Sequence, residues 1–409
     1  MSVKKKIPQI RFKIFSGQWV QSNLAKCTDL LTGNPFNSKE FTAEGILLVR
    51  GMNVKRGYLD VSPEISEFWP SSKGLENYLL EPEDIVIQMD GALIGKSYAK
   101  IESINLPAIL VQRVTRVRCS EVNPEFIYQY IQKDFLNHIS GIKTETAVPH
   151  LSLHDIRGFS VSLPKRSEQN AIGNYFQKLD TLINRHQQKY DKLGNFKKSL
   201  LGKMFPKQGE TMPEIRFKGF SGEWEEKELG ELAEIVRGAS PRPIEDPKWF
   251  DSESSVGWLR IRDVTEQDGR IHFLEQRISK LGQEKTRVLH ERHLLLSIAA
   301  SVGKPVVNYV ETGVHDGFLI FKKPLFELEF MYQWLKSFET KWQQFGQPGS
   351  QVNLNSDIVK NLTVTIPTNE EQAAIGNYFQ KLDALINQHQ QQITKLNNIK
   401  QACLSKMFV

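Results

Sequence analysis

Glu168 to Gln188 reads EQNAIGNYFQKLDTLINRHQQ, and Glu371 to Gln391 reads EQAAIGNYFQKLDALINQHQQ. Only three of the 21 positions differ. The match runs on through Pro206 and Val409, with 26 of 39 positions identical. In both copies apolar residues recur at alternating steps of four and three. They are Ile172, Phe176, Leu179, Ile183 and His186 in the first, and Ile375, Phe379, Leu382, Ile386 and His389 in the second. A 3-4 alternation sustained over four heptads predicts a long coiled-coil helix rather than a short globular one. At 1.5 Å per residue such a helix is a rod roughly 57 Å long. Gly173 and Gly376 each cost about 1 kcal/mol of helicity relative to alanine. Core histidines read as a polar layer that fixes register, and an antiparallel pairing about a pseudo-twofold axis would bring His186 and His389 together.

The repeat extends beyond these helices. IRFKIFSGQW (Ile10 to Trp19) recurs as IRFKGFSGEW (Ile215 to Trp224). LSLHDIRGFSVSLP (Leu151 to Pro164) and LNSDIVKNLTVTIP (Leu354 to Pro367) both read as a polar turn, then an alternating strand ending at proline. Between the shared parts, residues 25–145 and 230–345 diverge, apart from a rough strand pattern such as LLVRGMNV (Leu47 to Val54) and WLRIRDV (Trp258 to Val264). A period this long means tandem domains, not a solenoid. The expected organisation is a globular region over 1–165, a helix over 166–207, a second globular region over 208–367 and a second helix over 368–409. Symmetry also places Val409 near Lys4 to Ile10, closing a ring.

Composition narrows the function class. The 409 residues are 40% hydrophobic and 24% charged, as in soluble globular proteins, and no run of about 18 apolar residues suggests a membrane span. MSVKKKIPQI lacks the apolar stretch of a signal peptide. Cys27, Cys119 and Cys403 are isolated, with no metal or disulfide spacing, which fits a cytoplasmic protein. The net charge of +6 permits a nucleic-acid partner. The excess sits in residues 166–207, with nine basic against three acidic residues, whereas 208–367 carries 20 against 24. Any DNA binding by the globular regions must therefore use local basic patches.

No catalytic motif survives inspection. GALIGKS (Gly91 to Ser97) is one residue short of a phosphate loop, and ASVGKP (Ala300 to Pro305) has proline where magnesium would need a hydroxyl. GNPF (Gly33 to Phe36) has part of the base-gripping loop of amino-methyltransferases but lacks its second proline, so turn chemistry is the better reading. Basic clusters remain. They comprise Arg50, Lys55 and Arg56 beside glycines, Lys96, and Arg113 and Arg116 with Arg118. In the second half they comprise Arg237 and Arg242, Arg260 and Arg262 on one face of an expected strand, Arg270, and Lys304. Such groups suit phosphates or guanine edges.

Two diverged regions, each followed by a near-constant helix, resemble the specificity subunit of type I restriction–modification systems. The resemblance rests on PxIRFxxFSGxW, the strand running to proline, and EQxAIGNYFQKLDxLIN with its downstream KMF. It implies an α+β fold, with two target-recognition domains alternating with two long antiparallel coiled-coil helices. It implies a non-catalytic chain that reads a bipartite, asymmetric site on double-stranded DNA, with the helices as a ruler. Half-sites on one face of B-DNA lie about 34 Å apart per turn, a span such a rod can serve. The implied partners are two methyltransferase subunits, which use S-adenosylmethionine and flip an adenine for N6 methylation, and two motor–nuclease subunits with ATP and magnesium. The competing readings are a coiled-coil scaffold without a DNA role and a stand-alone DNA-modifying enzyme.

Overall fold

The computed structural model describes residues 7–91, 93–142, 150–299, 302–345 and 354–409. The chain divides into two compact units, Met1–Gln187 with Gln391–Val409, and Gln188–Gln390. Two long helices, Arg166–Lys203 and Asn369–Met407, each give one half to one unit and one half to the other.

In the first unit, residues 166–187 run antiparallel to 391–407, because Asp180 meets Lys400 while Tyr175 meets Cys403. In the second, Lys197 meets Asp383 and Phe205 stacks on Phe379, the same opposition of direction. The apolar stripe does more than join helix to helix. Ile172, Phe176 and Leu179 are buried with Trp19, Phe126 and Phe135 of the globular region as well as Leu404 and Met407. Ile375, Phe379 and Leu382 are likewise buried with Trp224, Phe330 and Leu335. Farther along, Ile183, His186, Ile386 and His389 are only half-buried.

The residues shared between the halves are held by bonds within each unit. Arg11 forks onto Glu168 at 2.7 and 2.6 Å and donates to the carbonyls of Ser16 and Gly17. Arg216 does the same to Glu371, Ser221 and Gly222. Both carboxylates lie in the first turn of a long helix, where the backbone dipole favours negative charge. Gln169 and Gln372 donate to the carbonyls of Pro164 and Pro367. Their oxygens accept from the backbone of Asn123 and Glu327, at the start of an inner helix. The turn before each proline-ended strand is a helical one, Leu153–Arg157 and Ser356–Lys360, capped by Ser152 and Asn355.

Each globular region is built on one plan. In the first, strands Asp29–Thr32, Val114–Arg118, Ile85–Gln88 and Tyr98–Lys100 lie side by side, next to a sheet of Phe68–Trp69, Ile46–Val49 and Ala108–Leu110. In the second, Glu234–Arg237, Phe318–Lys322, Leu294–Ser297 and Pro305–Asn308 repeat the order, with Arg270–Ile271 added at the edge. Gly257–Leu259 pairs parallel with Thr312–Val314 as Ile46–Val49 does with Ala108–Leu110. The inner helices Pro124–Ile142 and Leu328–Phe338 pack their apolar residues into the two cores. They open on PEFIYQ and LEFMYQ, a shared motif inside the stretch expected to have diverged.

Gly173 and Gly376 are where these inner helices cross the long ones. A Cβ on Gly173 would stand 2.6 Å from the Asn123 side chain, and one on Gly376 2.9 Å from the Phe330 nitrogen. The close crossing explains glycines that cost helicity.

Candidate nucleic-acid interface

In each unit one end of the strands gathers loops, and most of the sequence-identified cations can be placed relative to that end. In the first unit the chain leaves Asp29–Thr32 at Gly33, where a Cβ would fall 2.2 Å from the Val111 carbonyl. No other residue fits that approach, and in place of the expected turn Asn34 pairs with Val111 as a parallel bridge, its carbonyl accepting the Gln112 N–H. Gly238 is the equivalent in the second unit, 2.1 Å by the same measure from the His315 carbonyl.

Around Gly238 the second unit builds a compact cluster. Asp316 accepts from Ser240 at 2.7 Å and from Arg242 at 2.8 Å, and its carbonyl accepts from Arg237 at 2.6 Å. Arg287 joins by donating to the Arg237 carbonyl at 2.7 Å. All three guanidinium groups are on exposed residues. Burial pulls the Asp316 carboxyl upward, but the Ser240 bond and the Arg242 charge outweigh it and hold it below its ordinary value. The neighbouring His315 is pushed down by burial, partly offset by Asp316.

The first unit places a different set at this end. Asp90 binds Arg113 and His150, both exposed, and their hydrogen bonds outweigh its burial to lower its pKa. Arg113 sits in the left-handed region at φ +66, in the turn before Val114–Arg118. Lys96 is exposed in the loop joining Ile85–Gln88 to Tyr98–Lys100, as a strand-joining turn requires. Arg56 is also exposed; Lys55 stands 4.0 Å from Asp60. A guanidinium held by a carboxylate presents a fixed fork of donors, suited to a phosphate or a guanine edge.

Several sequence-identified cations are more enclosed or are bound by neighbouring carboxylates. Arg116 is buried, bound to Asp29 and the Asn77 carbonyl. Arg118 forks onto Asp84 and reaches Glu81. Arg50 turns inward to the Ile65 carbonyl and the Phe41 ring. Arg260 and Arg262 do not alternate on a strand, which ends at Leu259. Arg260 caps the following helix, Ile261–Glu266, and pairs with Asp263 and Glu275, while Arg262 inside that helix pairs with Glu266. Asp263 decides this, because its carboxylate accepts the Arg260 N–H and bends the chain into a turn. Lys304 is half-buried, and Arg270 lies inside the fold on Glu329. Asp90, His150, Arg287 and Asp316 carry no local sequence signal, since their partners lie 23 to 79 residues away.

A model of the type I restriction modification DNA specificity domain matches the chain twice, over residues 18–195 and 221–398. The chain belongs to that family. Among relatives of the type I specificity family, the EcoBI specificity subunit of Escherichia coli is 22% identical over 422 residues, covering 95% of this chain and 85% of that one. The MjaVIII specificity subunit of Methanocaldococcus jannaschii is 20% identical over 355 residues, covering 81% and 79%. The fold is shared with the S subunit of a type I restriction-modification system from M. genitalium, with a TM-score of 0.63 at 15% identity over 98% and 99% of the two chains. It is shared too with a chain from a study of complex assembly and conformational transition of the type I R-M system, at 0.52, 18%, 95% and 97%. Among the described residues no helix is long and apolar enough to cross a membrane.

Proposed function

We propose that this chain is the non-catalytic DNA-reading subunit of a type I restriction–modification complex. Each globular region reads one half of a bipartite, asymmetric site through its strand-end loops, and the long helices set the spacing. One observation carries this reading. Two frames of the same strand order end in loops that share a glycine, Gly33 or Gly238, and little else. One frame carries Arg113, Asp90 and His150 at that end, and the other Arg237, Arg242, Arg287 and Asp316. A constant frame with divergent donors is what reading two different sequences requires.

The helices supply the docking face. Most repeated residues are used internally, but Asn174, Lys178 and Leu182 are exposed, as are their identical counterparts Asn377, Lys381 and Leu385. Identical exposed residues without an internal task suit two copies of one partner, the methyltransferase subunit. In this reading S-adenosylmethionine, ATP and magnesium belong to the methyltransferase and motor–nuclease subunits, and the complex works in the cytoplasm.

The test is binding of a randomised duplex pool by the chain with its methyltransferase subunit, followed by sequencing of the bound fraction. The reading requires two enriched blocks separated by an unspecified gap, with affinity that falls steeply with salt. A scaffold without a DNA role would enrich nothing.

A further inference from the structure

The shared PEFIYQ and LEFMYQ openings place Glu125 and Gln129, and Glu329 and Gln333, against the long helices. In the first unit Gln129 donates to Glu125 at 2.7 Å and to Asp180 at 3.0 Å. Lys400 pairs with Asp180 at 2.6 Å, and Lys100 pairs with Glu125 beside the Tyr128 ring. In the second unit Gln333 donates to Asp383 at 2.9 Å, and Lys197 pairs with the same carboxylate. Arg270 bridges Glu329 and Asp383 at 2.9 and 3.2 Å, with its guanidinium 4.4 Å from the centre of the Tyr332 ring. Both networks therefore hold two carboxylates, one buried glutamine and two cations.

The cations facing Glu125 and Glu329 come from different strands. Ile85 pairs with Lys100, and the equivalent Leu294 pairs with Val307. Valine thus occupies the place of Lys100, and the charge has moved one strand over to Arg270, which is the residue paired with Val307. The same charge is delivered to the same point by two routes. Apolar packing alone would not demand this.

We infer that each network is a clamp that fixes the angle of a globular region on the helix segments of its own unit, and that this angle helps to determine which half-site is read. Lys100, Glu125 and Gln129, and Arg270, Glu329 and Gln333, are its positioning residues. Asp180 and Asp383 are the fixed points that any globular region must engage. The inference rests on the DNA-reading proposal. It adds that a region exchanged into this chain must bring the Glu-x-x-x-Gln helix start together with one cation from either strand.

The test uses the full chain co-produced with its methyltransferase subunit, with the methylated motif mapped across a genome by long-read sequencing. Three forms are compared, wild type, Arg270→Leu, and Arg270→Leu with Val307→Lys. Arg270→Leu should lower methylation at sites that depend on the second half-site about tenfold and leave the bases of the first half-site unchanged. The double variant, with its cation where the first unit carries it, should restore the wild-type motif and level. Should Arg270→Leu alone fail to fold, the folded double variant still decides, because a changed second half-site there would overturn the clamp. An Arg270→Leu motif and level identical to wild type would overturn it too. Absence of any split motif with the wild-type pair would instead overturn the DNA-reading proposal, and the clamp with it.

Discussion

The backbone N–H of Ile10 donates to the carbonyl of Lys406 at 2.9 Å, and Ile215 donates to Lys203 at the same distance. In the second unit a continuous chain makes the connection through residues 204–214. In the first, residues 10 and 406, remote in sequence, make the same bond, and Tyr130 seals it by donating to the Val409 carbonyl at 2.8 Å. The expectation that Val409 approaches Lys4 to Ile10 is met at Ile10 by Lys406; Lys4 lies outside the described residues.

Phe408 behaves as core. It is 4% exposed and packs on the rings of Trp19, Phe126, Tyr130 and Phe176. Phe408→Ala should destabilise the first unit by about 3 kcal/mol, the range for a large core truncation. The midpoint of urea unfolding, followed by a probe in that unit, checks it.

Arg242 and Arg116 should separate cleanly. Arg242→Ala removes an exposed guanidinium, so it should reduce the salt dependence of DNA binding by about one phosphate contact and lower the thermal midpoint only slightly, as loss of an exposed ion pair does. Arg116→Ala leaves the Asn77 carbonyl and Asp29 without their buried partner, so it should lower the midpoint. Anisotropy titrations across salt, beside thermal melts, measure both.

Asp316 gives a pH dependence of known sign. Its folded pKa is lowered, so its contribution is fully present above the unfolded value of about 3.9 and is lost as pH falls through the folded value. Wild type should be more stable than Asp316→Asn at pH 6, with the gap narrowing once pH falls below about 3.9. His315, pushed down by burial, works in the same direction but higher up, since its unfolded form takes up a proton near pH 6.5 and the folded form resists it. Replacing His315 with Gln should flatten the fall in stability as pH drops below about 6.5.

Leu182→Glu with Leu385→Glu should leave folding and the thermal midpoint unchanged, because both leucines are exposed, at 41% and 47%. It should abolish co-purification of the methyltransferase subunit. Retained co-purification would place the docking surface elsewhere.

The sequence made the repeat, the helices and the buried faces of Phe176 and Phe379 legible, because periodicity encodes which side of a helix is covered. What it concealed depended on distant partners. Arg116 and Arg113 stand three residues apart and both look like surface cations, yet one is buried on Asp29 and the other exposed on Asp90. Nothing in their local pattern distinguishes them. Arg260 and Arg262 looked strand-like until Asp263 turned the chain. The EF-x-YQ motif has no meaning of its own in the sequence, because its partners Asp180 and Asp383 lie some 50 residues onward.

The most direct test of the central proposal is co-expression of this chain with the methyltransferase subunit of its operon, followed by long-read mapping of N6-methyladenine, with each protein alone as control. The account predicts a split motif with an unspecified spacer that appears only when both proteins are present. Methylation by this chain alone, or a stable complex that methylates one continuous motif, would contradict it.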